Sequence, residues 1–316
     1  MSPVLVLLLL AGCAGPGDGG GGADPGGAYP LTVTNCGAQV TFASEPERVV
    51  LLKSAAVPFL HDLGVLDRVV ARAGQYPDEY YDERTRAELD AIPLLTDRTD
   101  TSGHLQISRE VVVAQRPDLV VGEVDNLDRA TLAAAGIPLL EEPALCGAGV
   151  RDVSFEDVYE QMGFYGEVFD RREAASAAAA RLRERVAQLS VPGSGRTAAV
   201  LYPTVGGGVT YAYGSGSMAN PQLAAAGLTN VFADVDERVF EVSREELIAR
   251  DPDVLVLLHG DGDPRAVVEA VTSVPGLAGV SAVRDGAVLP LLFNFTEPPT
   301  PLAVDGLERV VDRFGR

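Results

Sequence analysis

The first segment with a clear pattern alternates apolar and polar residues, as β-hairpins do. Residues 31–34 and 39–42 both alternate, and Asn35-Cys36-Gly37 between them supplies turn-forming residues. The pattern therefore predicts two short paired strands at the start of the folded chain.

Beyond the hairpin, short continuous apolar runs alternate with helical patterns. A helix is predicted at 57–63, where Gly64 ends it. The buried strands predicted in this series are 48–52, 69–71, 119–121 and 138–140. Strands that alternate with helices imply an α/β fold with a parallel sheet covered by helices on both faces.

A second series of strands and helices begins near residue 198. Its clearest predicted strands are 198–201, 254–258 and 288–292. Asn220 and Pro221 have the residue types preferred at the N-cap and first position of a helix, and Gly227 would end that helix.

Residues 154–189 lie between the two series and contain no proline. Their Ala-, Arg- and Glu-rich composition predicts one helix, with a kink expected near Gly163 and Gly166. At 1.5 Å per residue such a helix would be roughly 50 Å long, which is enough to run between two lobes.

A repeat of fourteen residues links the two series. Residues 108–121 read SREVVVAQRPDLVV and residues 243–256 read SREELIARDPDVLV. Each copy predicts a short helix, a Pro-Asp turn and a buried strand, with Ser108 and Ser243 as N-caps. One copy in each series indicates two similar α/β lobes.

This repeat resembles a pattern in the siderophore- and cobalamin-binding proteins of ABC importers, the class III periplasmic binding proteins. The resemblance covers about residues 31–314 and implies two Rossmann-like lobes joined by one rigid helix, with cargo in the cleft between them and little lobe motion on binding. The chain is accordingly divided into lobes at 29–152 and 191–316 and the joining helix at 153–190, and residues 1–28 are assigned to a signal and tether on the features of the N-terminus described below.

The resemblance also assigns a role to one glutamate of each repeat copy. In that family a glutamate in the first turn of the helix docks into arginine pockets of the permease, and the matching positions are Glu110 and Glu245. Exposed carboxylates suit paired arginine side chains. The alternative is that each glutamate only complements its helix dipole.

The N-terminus has the features of an export signal. Residues 4–10 are apolar, and Leu10-Ala11-Gly12-Cys13 resembles the bacterial lipobox, in which the cysteine is acylated and anchors the protein to the membrane. Residues 14–28 are Gly-rich and predict a flexible tether. Once Cys13 is acylated, Cys36 and Cys146 are the remaining cysteines. In an oxidising compartment they predict one disulfide, with two buried free thiols as the alternative.

The net charge of −20 argues against a nucleic-acid partner, because phosphate binding needs a basic face. The expected partners are a ferric siderophore in the cleft, an ABC permease and the membrane through Cys13. A monomer without a cofactor is expected. Cobalamin or heme is the alternative cargo, and a lipoprotein without a transport role is the alternative function.

In open α/β sheets, ligands bind beyond the carboxyl ends of the strands. The side chains there are Arg, Lys, Tyr and other polar groups that suit a bulky, polar and often anionic ferric chelate. The candidate ligand-binding residues are Lys53, Arg72, Tyr76, Glu123, Tyr213, Ser215, Phe293 and Asn294.

Two other site types are disfavoured by residue spacing. The three histidines, His61, His104 and His259, lie in both series without local spacing, so no metal site is expected. The chain has neither a G-x-S-x-G nor a Walker motif. The pattern from Gly214 to Ala219 matches a loose dinucleotide fingerprint, but the helix predicted from Asn220 would start after it. The chain is therefore not expected to be an enzyme.

Overall fold

A computed structural model describes residues 28–100, 104–146, 152–260 and 262–315. The predicted export signal, the lipobox Cys13 and nearly all of the tether lie outside these residues. Within them, no helix combines the length and the apolar character needed to cross a bilayer.

The chain forms a hairpin and two larger sheets. The strands are β1 Leu31–Asn35, β2 Ala38–Phe42, β3 Val49–Leu51, β4 Val69–Arg72, β5 Leu119–Val121, β6 Leu139–Leu140, β7 Thr197–Pro203, β8 Thr210–Tyr213, β9 Thr229–Asn230, β10 Val239–Glu241, β11 Val254–His259 and β12 Val288–Leu292. Strands β1 and β2 pair antiparallel, as the alternating pattern predicts.

The first lobe contains a parallel sheet in the order β4-β3-β5-β6. The second lobe contains the order β10-β8-β7-β11-β12, with β9 beside β7. Strands β7, β9, β11 and β12 run parallel, whereas β8 pairs antiparallel with β7, and β10 pairs antiparallel with β8. The predicted two-lobed α/β architecture is therefore confirmed.

Helices cover both sheets. They are α1 Val57–Asp62, α2 Glu83–Asp90, α3 Arg109–Ala114, α4 Arg129–Ala133, α5 Phe155–Val168, α6 Arg172–Leu189, α7 Ala219–Ala225, α8 Arg244–Arg250, α9 Pro264–Thr272, α10 Ser281–Arg284 and α11 Pro301–Phe314. The central strands are fully buried between these layers, which explains their continuous apolar runs.

The fourteen-residue repeat forms the same structure twice. Ser108 caps α3 and Ser243 caps α8, each by accepting a hydrogen bond from the amide three residues later. The aspartate of each Pro-Asp turn then accepts amide hydrogen bonds where the neighbouring parallel strand begins. Asp118 does this for Arg48 before β3, and Asp253 does it for Thr197 in β7. The repeat thus fixes the pairing of two strands in each lobe.

The prediction of one continuous helix over 154–189 is wrong. Helices α5 and α6 are separated by 169–171, and Asp170 there has a left-handed φ of 49°. The two helices fold back on each other and pack closely. Arg183 of α6 pairs with Glu156 of α5, and a Cβ on Gly166 of α5 would collide with Ala175 of α6. The 18-residue α6 is about 27 Å long, rather than 50 Å.

Helix α6 contacts both lobes. Arg181 pairs with Asp62 at the end of α1, and Arg185 pairs with Asp305 and Glu308 of α11. A disulfide also joins Cys36 to Cys146, the pairing that the cysteine count predicts.

The predicted start of α7 is also wrong, although Gly227 does follow its end with a left-handed φ of 72°. The helix begins at Ala219, so Asn220 is not its cap. The buried carboxylate of Glu297 accepts the Met218 amide, and the Ser217 hydroxyl accepts the Ala219 amide. Tertiary contacts therefore satisfy the first amides of the helix without an Asn cap.

Candidate functional site

A cleft of about 370 Å³ lies where the carboxyl ends of both sheets meet. Lys53, Glu123 and Glu142 follow the adjacent strands β3, β5 and β6 of the first lobe. Phe293 and Asn294 follow β12 of the second lobe and face them across the cleft. Of the candidate residues predicted from the sequence, Lys53, Glu123, Phe293 and Asn294 are therefore brought together.

Lys53 and Glu123 form an ion pair on the first lobe. The Lys53 Nζ lies 3.3 Å from Glu123 Oε1, and both side chains are partly exposed. Gly122 makes this approach possible, since its φ is 94° and a Cβ there would lie 3.3 Å from the Lys53 backbone nitrogen. The second oxygen of Glu123 is buried and has no hydrogen-bond partner.

Glu142 is a buried carboxyl in the same wall, at 5% exposure, and was missed in the sequence. Its Oε2 accepts a hydrogen bond of 3.1 Å from Gln161, whereas its Oε1 has no partner. Burial raises the pKa of Glu142 to about 7; nearby Glu123 adds to the rise, while Gln161 and Lys53 oppose it. Tyr165 also faces this carboxyl. Glu142 can therefore exchange a proton near neutral pH.

Arg238 is a second functional group that the sequence did not reveal. It lies just before β10 and lines the cleft from the second lobe. Its Nη1 donates to Glu297 at 2.9 Å, and Glu297 is 1% exposed. Burial raises the pKa of Glu297, while the Arg238 guanidinium and the Met218 amide oppose the rise. The positive charge of Arg238 is thus directed to an internal carboxyl.

Asn294 joins the two lobes beside the cleft. Its backbone amide donates to the Tyr80 hydroxyl at 2.9 Å, and its side-chain Nδ2 donates to Ser54 Oγ at 3.1 Å. The Tyr80 ring also packs edge-on against Phe295, with centroids 5.1 Å apart. These contacts hold the lobes in a fixed relation around the cleft.

One rim of the cleft is acidic. Asp100, His104 and Asp125 place potential metal-ligating atoms within 4.8 Å of one another, and all three side chains are exposed. The His104 Nδ1 lies 2.9 Å from Asp125 Oδ2. The other two histidines lie elsewhere, with His61 against Glu88 and His259 against the Gly260 carbonyl. The three histidines therefore do not converge.

Arg72 and Tyr76 do not line this cleft, contrary to expectation. The Arg72 guanidinium stacks over the Tyr76 ring at 4.9 Å and donates to the Ile92 carbonyl. The Tyr76 hydroxyl donates to the carbonyl of Ala73, and burial raises the pKa of Tyr76. Both side chains are occupied by contacts within the first lobe.

Tyr213 and Ser215 also lie outside the lining of this cleft. Tyr213 is 3% exposed within β8, and burial raises the pKa of its hydroxyl. The Ser215 hydroxyl donates to the Val235 carbonyl at 3.1 Å. Gly214 belongs to the same tight contact, because a Cβ there would collide with the Val235 carbonyl oxygen. Gly216 likewise lies close to the backbone of Glu237 and Arg238. The two glycines of the dinucleotide-like pattern are therefore explained by close backbone packing.

Glu110 and Glu245 occupy equivalent, exposed positions. Their side chains are 73% and 71% exposed, and in each copy the preceding arginine, Arg109 or Arg244, lies against the glutamate. The pKa of both carboxyls is lowered. The backbone amide and Ser108 are the main causes for Glu110, and Arg244 is the main cause for Glu245. Both lobes therefore present an ionised carboxylate at the start of a short helix.

Comparison with known proteins adds an independent line of evidence. A crystal structure described as an ABC-type Fe³⁺-hydroxamate transport system from Saccharomonospora viridis is 57% identical, with a TM-score of 0.87, and covers 91% of this chain and 100% of that chain. A cobalamin-binding protein of Halobacterium salinarum is 28% identical over 304 residues, which is 92% of this chain and 76% of that protein.

More distant structures share the fold alone. A periplasmic heme-binding protein from Roseiflexus sp. is 23% identical with a TM-score of 0.66, and the match covers 85% of this chain and 97% of that chain. The family model described as periplasmic binding protein matches residues 49–291, which is more than half of the chain. That span includes strands of both lobes and the cleft residues Lys53, Glu123, Glu142 and Arg238. The chain therefore belongs to the periplasmic binding protein family.

Proposed function

We propose that this protein is the extracytoplasmic solute-binding component of an ABC importer and that its cargo is a ferric siderophore of the hydroxamate type. The family supports a transport-related binding role rather than an enzymatic one. The observation that carries the cargo class is the 57% identity over 91% of the chain to the Fe³⁺-hydroxamate transport protein.

The cleft supports binding of a compact polar chelate. Its volume of about 370 Å³ lies within the range of small-molecule sites, roughly 300–1,000 Å³. Phe293 supplies an apolar surface, and Lys53, Glu123 and Asn294 supply polar groups from both lobes. Because Asn294 and α6 tie the lobes together, binding should cause little lobe motion.

Delivery to the permease would use Glu110 and Glu245. Their exposure, their ionised state and their equivalent positions on the two lobes support a two-point contact with arginine side chains. We further propose that Cys13 is acylated and holds the protein at the outer face of the membrane, because it follows an apolar run and completes a lipobox-like sequence.

Cobalamin is the second candidate cargo, since the Halobacterium salinarum relative is a cobalamin-binding protein. Cobalamin is much larger than a ferric trihydroxamate, so the cleft would have to open further to admit it. The likeness to that relative is also weaker, at 28% identity.

Titration of intrinsic fluorescence tests the proposal. The chain has no Trp, so emission comes from its nine tyrosines, and a bound ferric chelate should quench it. We expect saturable quenching by a ferric trihydroxamate and none by the iron-free chelator at equal concentration. Saturation by cobalamin or heme alone would replace the cargo, and the absence of saturation with every ligand would contradict the proposed binding role.

A further inference from the structure

The positive charges of the cleft are already matched by carboxylates of the protein. Among the described residues that line it, Lys53 and Arg238 are the Lys and Arg side chains. Lys53 pairs with Glu123, and Arg238 pairs with the buried Glu297. An anionic cargo would therefore have to compete with acidic groups that are held in place by the fold.

Carboxylate oxygens of the cleft wall, in contrast, lack donors. Glu142 Oε1 and Glu123 Oε2 are both buried without a hydrogen-bond partner, and both residues line the cleft. A buried acceptor without a donor is costly, so a donor from the ligand that reaches these oxygens would remove that cost. Asp125 adds another carboxylate at the rim.

We propose that the cleft selects a ferric hydroxamate that carries a protonated amine, which is placed against the carboxylates of Glu142 and Glu123. This inference rests on the proposed function and narrows its cargo. The ferric trihydroxamate core is neutral, because three singly charged hydroxamates balance Fe³⁺. A terminal ammonium then makes the chelate cationic and supplies the missing donors.

The same carboxylates work against the anionic iron chelates. A ferric tricatecholate is trianionic, and heme carries two propionates. Either would place negative charge near the buried Glu142 and the partly exposed Glu123, and near Asp125 at the exposed rim. From the sequence, the Lys and Arg residues are expected to suit an often anionic cargo. Because Lys53 pairs with Glu123 and Arg238 with Glu297, these cations are less available to such a cargo.

Binding calorimetry on the purified protein with a matched pair of ligands tests the inference. The probes are a linear ferric trihydroxamate with a terminal ammonium and the same chelate with that amine acetylated. We expect the ammonium form to bind at least about tenfold more tightly at pH 8, because acetylation removes one charge and two donor hydrogens. The ratio should shrink at pH 6, where Glu142, which faces Lys53, Glu123 and Tyr165, is mostly protonated.

Two single-residue variants test whether Glu142 causes the preference for the ammonium form. Glu142→Gln should reduce the preference for the ammonium form to about twofold or less. Glu269→Gln removes the same charge from the exposed face of α9 and should keep the wild-type ratio. Thermal melting of each variant checks that it folds, and the wild-type ligand pair gives a result even if Glu142→Gln does not fold.

The outcomes separate this inference from the proposed function. Equal affinity for the ammonium and acetylated forms, or tighter binding of a ferric tricatecholate, would overturn the charge selection and leave the siderophore-binding role intact. The absence of binding to every ferric chelate would overturn the proposed cargo itself.

Discussion

Replacing Glu142 with Gln should change how the stability of the protein depends on pH. The folded chain holds the Glu142 proton up to about pH 7, whereas an unfolded chain releases it near the ordinary glutamate pKa of 4.5. Between these values the folded state binds more protons than the unfolded state. The free energy of unfolding therefore falls as pH rises through this window.

The size of the effect follows from the pKa difference. A rise from 4.5 to about 7, at about 1.4 kcal/mol per pH unit, corresponds to roughly 3 kcal/mol of stability lost between pH 4.5 and pH 8. The side chain is only 5% exposed, so solvent screens this penalty little. Glu142→Gln keeps an acceptor for Gln161 and removes the ionisation, so it should remove the penalty.

Urea unfolding at pH 5 and pH 8 measures the difference. Titrating groups far from Glu142 contribute equally to wild type and variant, so the difference between the two reports on Glu142 and its interactions with Glu123 and Lys53. The variant should gain up to roughly 3 kcal/mol relative to wild type at pH 8 and much less at pH 5. Glu269→Gln, an exposed change of the same charge, should behave as wild type. An identical pH dependence in wild type and Glu142→Gln would refute the reasoning.

Three further predictions concern the fold and the docking surface. Gly166→Ala should lower the free energy of unfolding in urea by about 1–3 kcal/mol, because its Cβ would force α5 and α6 apart. Gly163→Ala, an exposed position in the same helix with open space for a Cβ, should raise it by about 0.5–1 kcal/mol; equal effects would contradict the antiparallel packing. Replacing both cysteines of the Cys36–Cys146 disulfide with Ser should lower the free energy of unfolding by about 4 to 5 kcal/mol, because the disulfide closes a loop with a sequence separation of 110. The melting temperature should fall, and an unchanged melting temperature would contradict this. Changing Glu110 and Glu245 together to Ala should leave ligand affinity unchanged and abolish uptake in cells; retained uptake would remove the docking role.

The sequence predicts the lobes well because their core strands depend on local patterns. The strands β5 and β12 match the predicted 119–121 and 288–292, and the repeat predicts both capped helices. The break between α5 and α6 was missed because composition favours helix throughout 154–189. The chain turns at Asp170, where packing of Gly166 against Ala175 favours two antiparallel helices.

The candidate site was predicted in part for similar reasons. The rule that ligands bind beyond the carboxyl ends of parallel strands predicts Lys53, Glu123, Phe293 and Asn294, and these four residues line the cleft. The same rule applied to the predicted strand 138–140 would have led to Glu142, two residues beyond it. Arg238 could not be found in this way, because it lies in a loop before an edge strand and reaches the cleft through tertiary packing.

The most direct test of the central claim is to locate the iron in a crystal of the protein grown with a saturating ferric trihydroxamate. Anomalous scattering at the iron edge marks the metal independently of how the ligand is built. We expect one strong peak in the cleft, between Glu123 of the first lobe and Phe293 of the second. A peak outside this cleft, or none in crystals of protein that is saturated in solution, would contradict it.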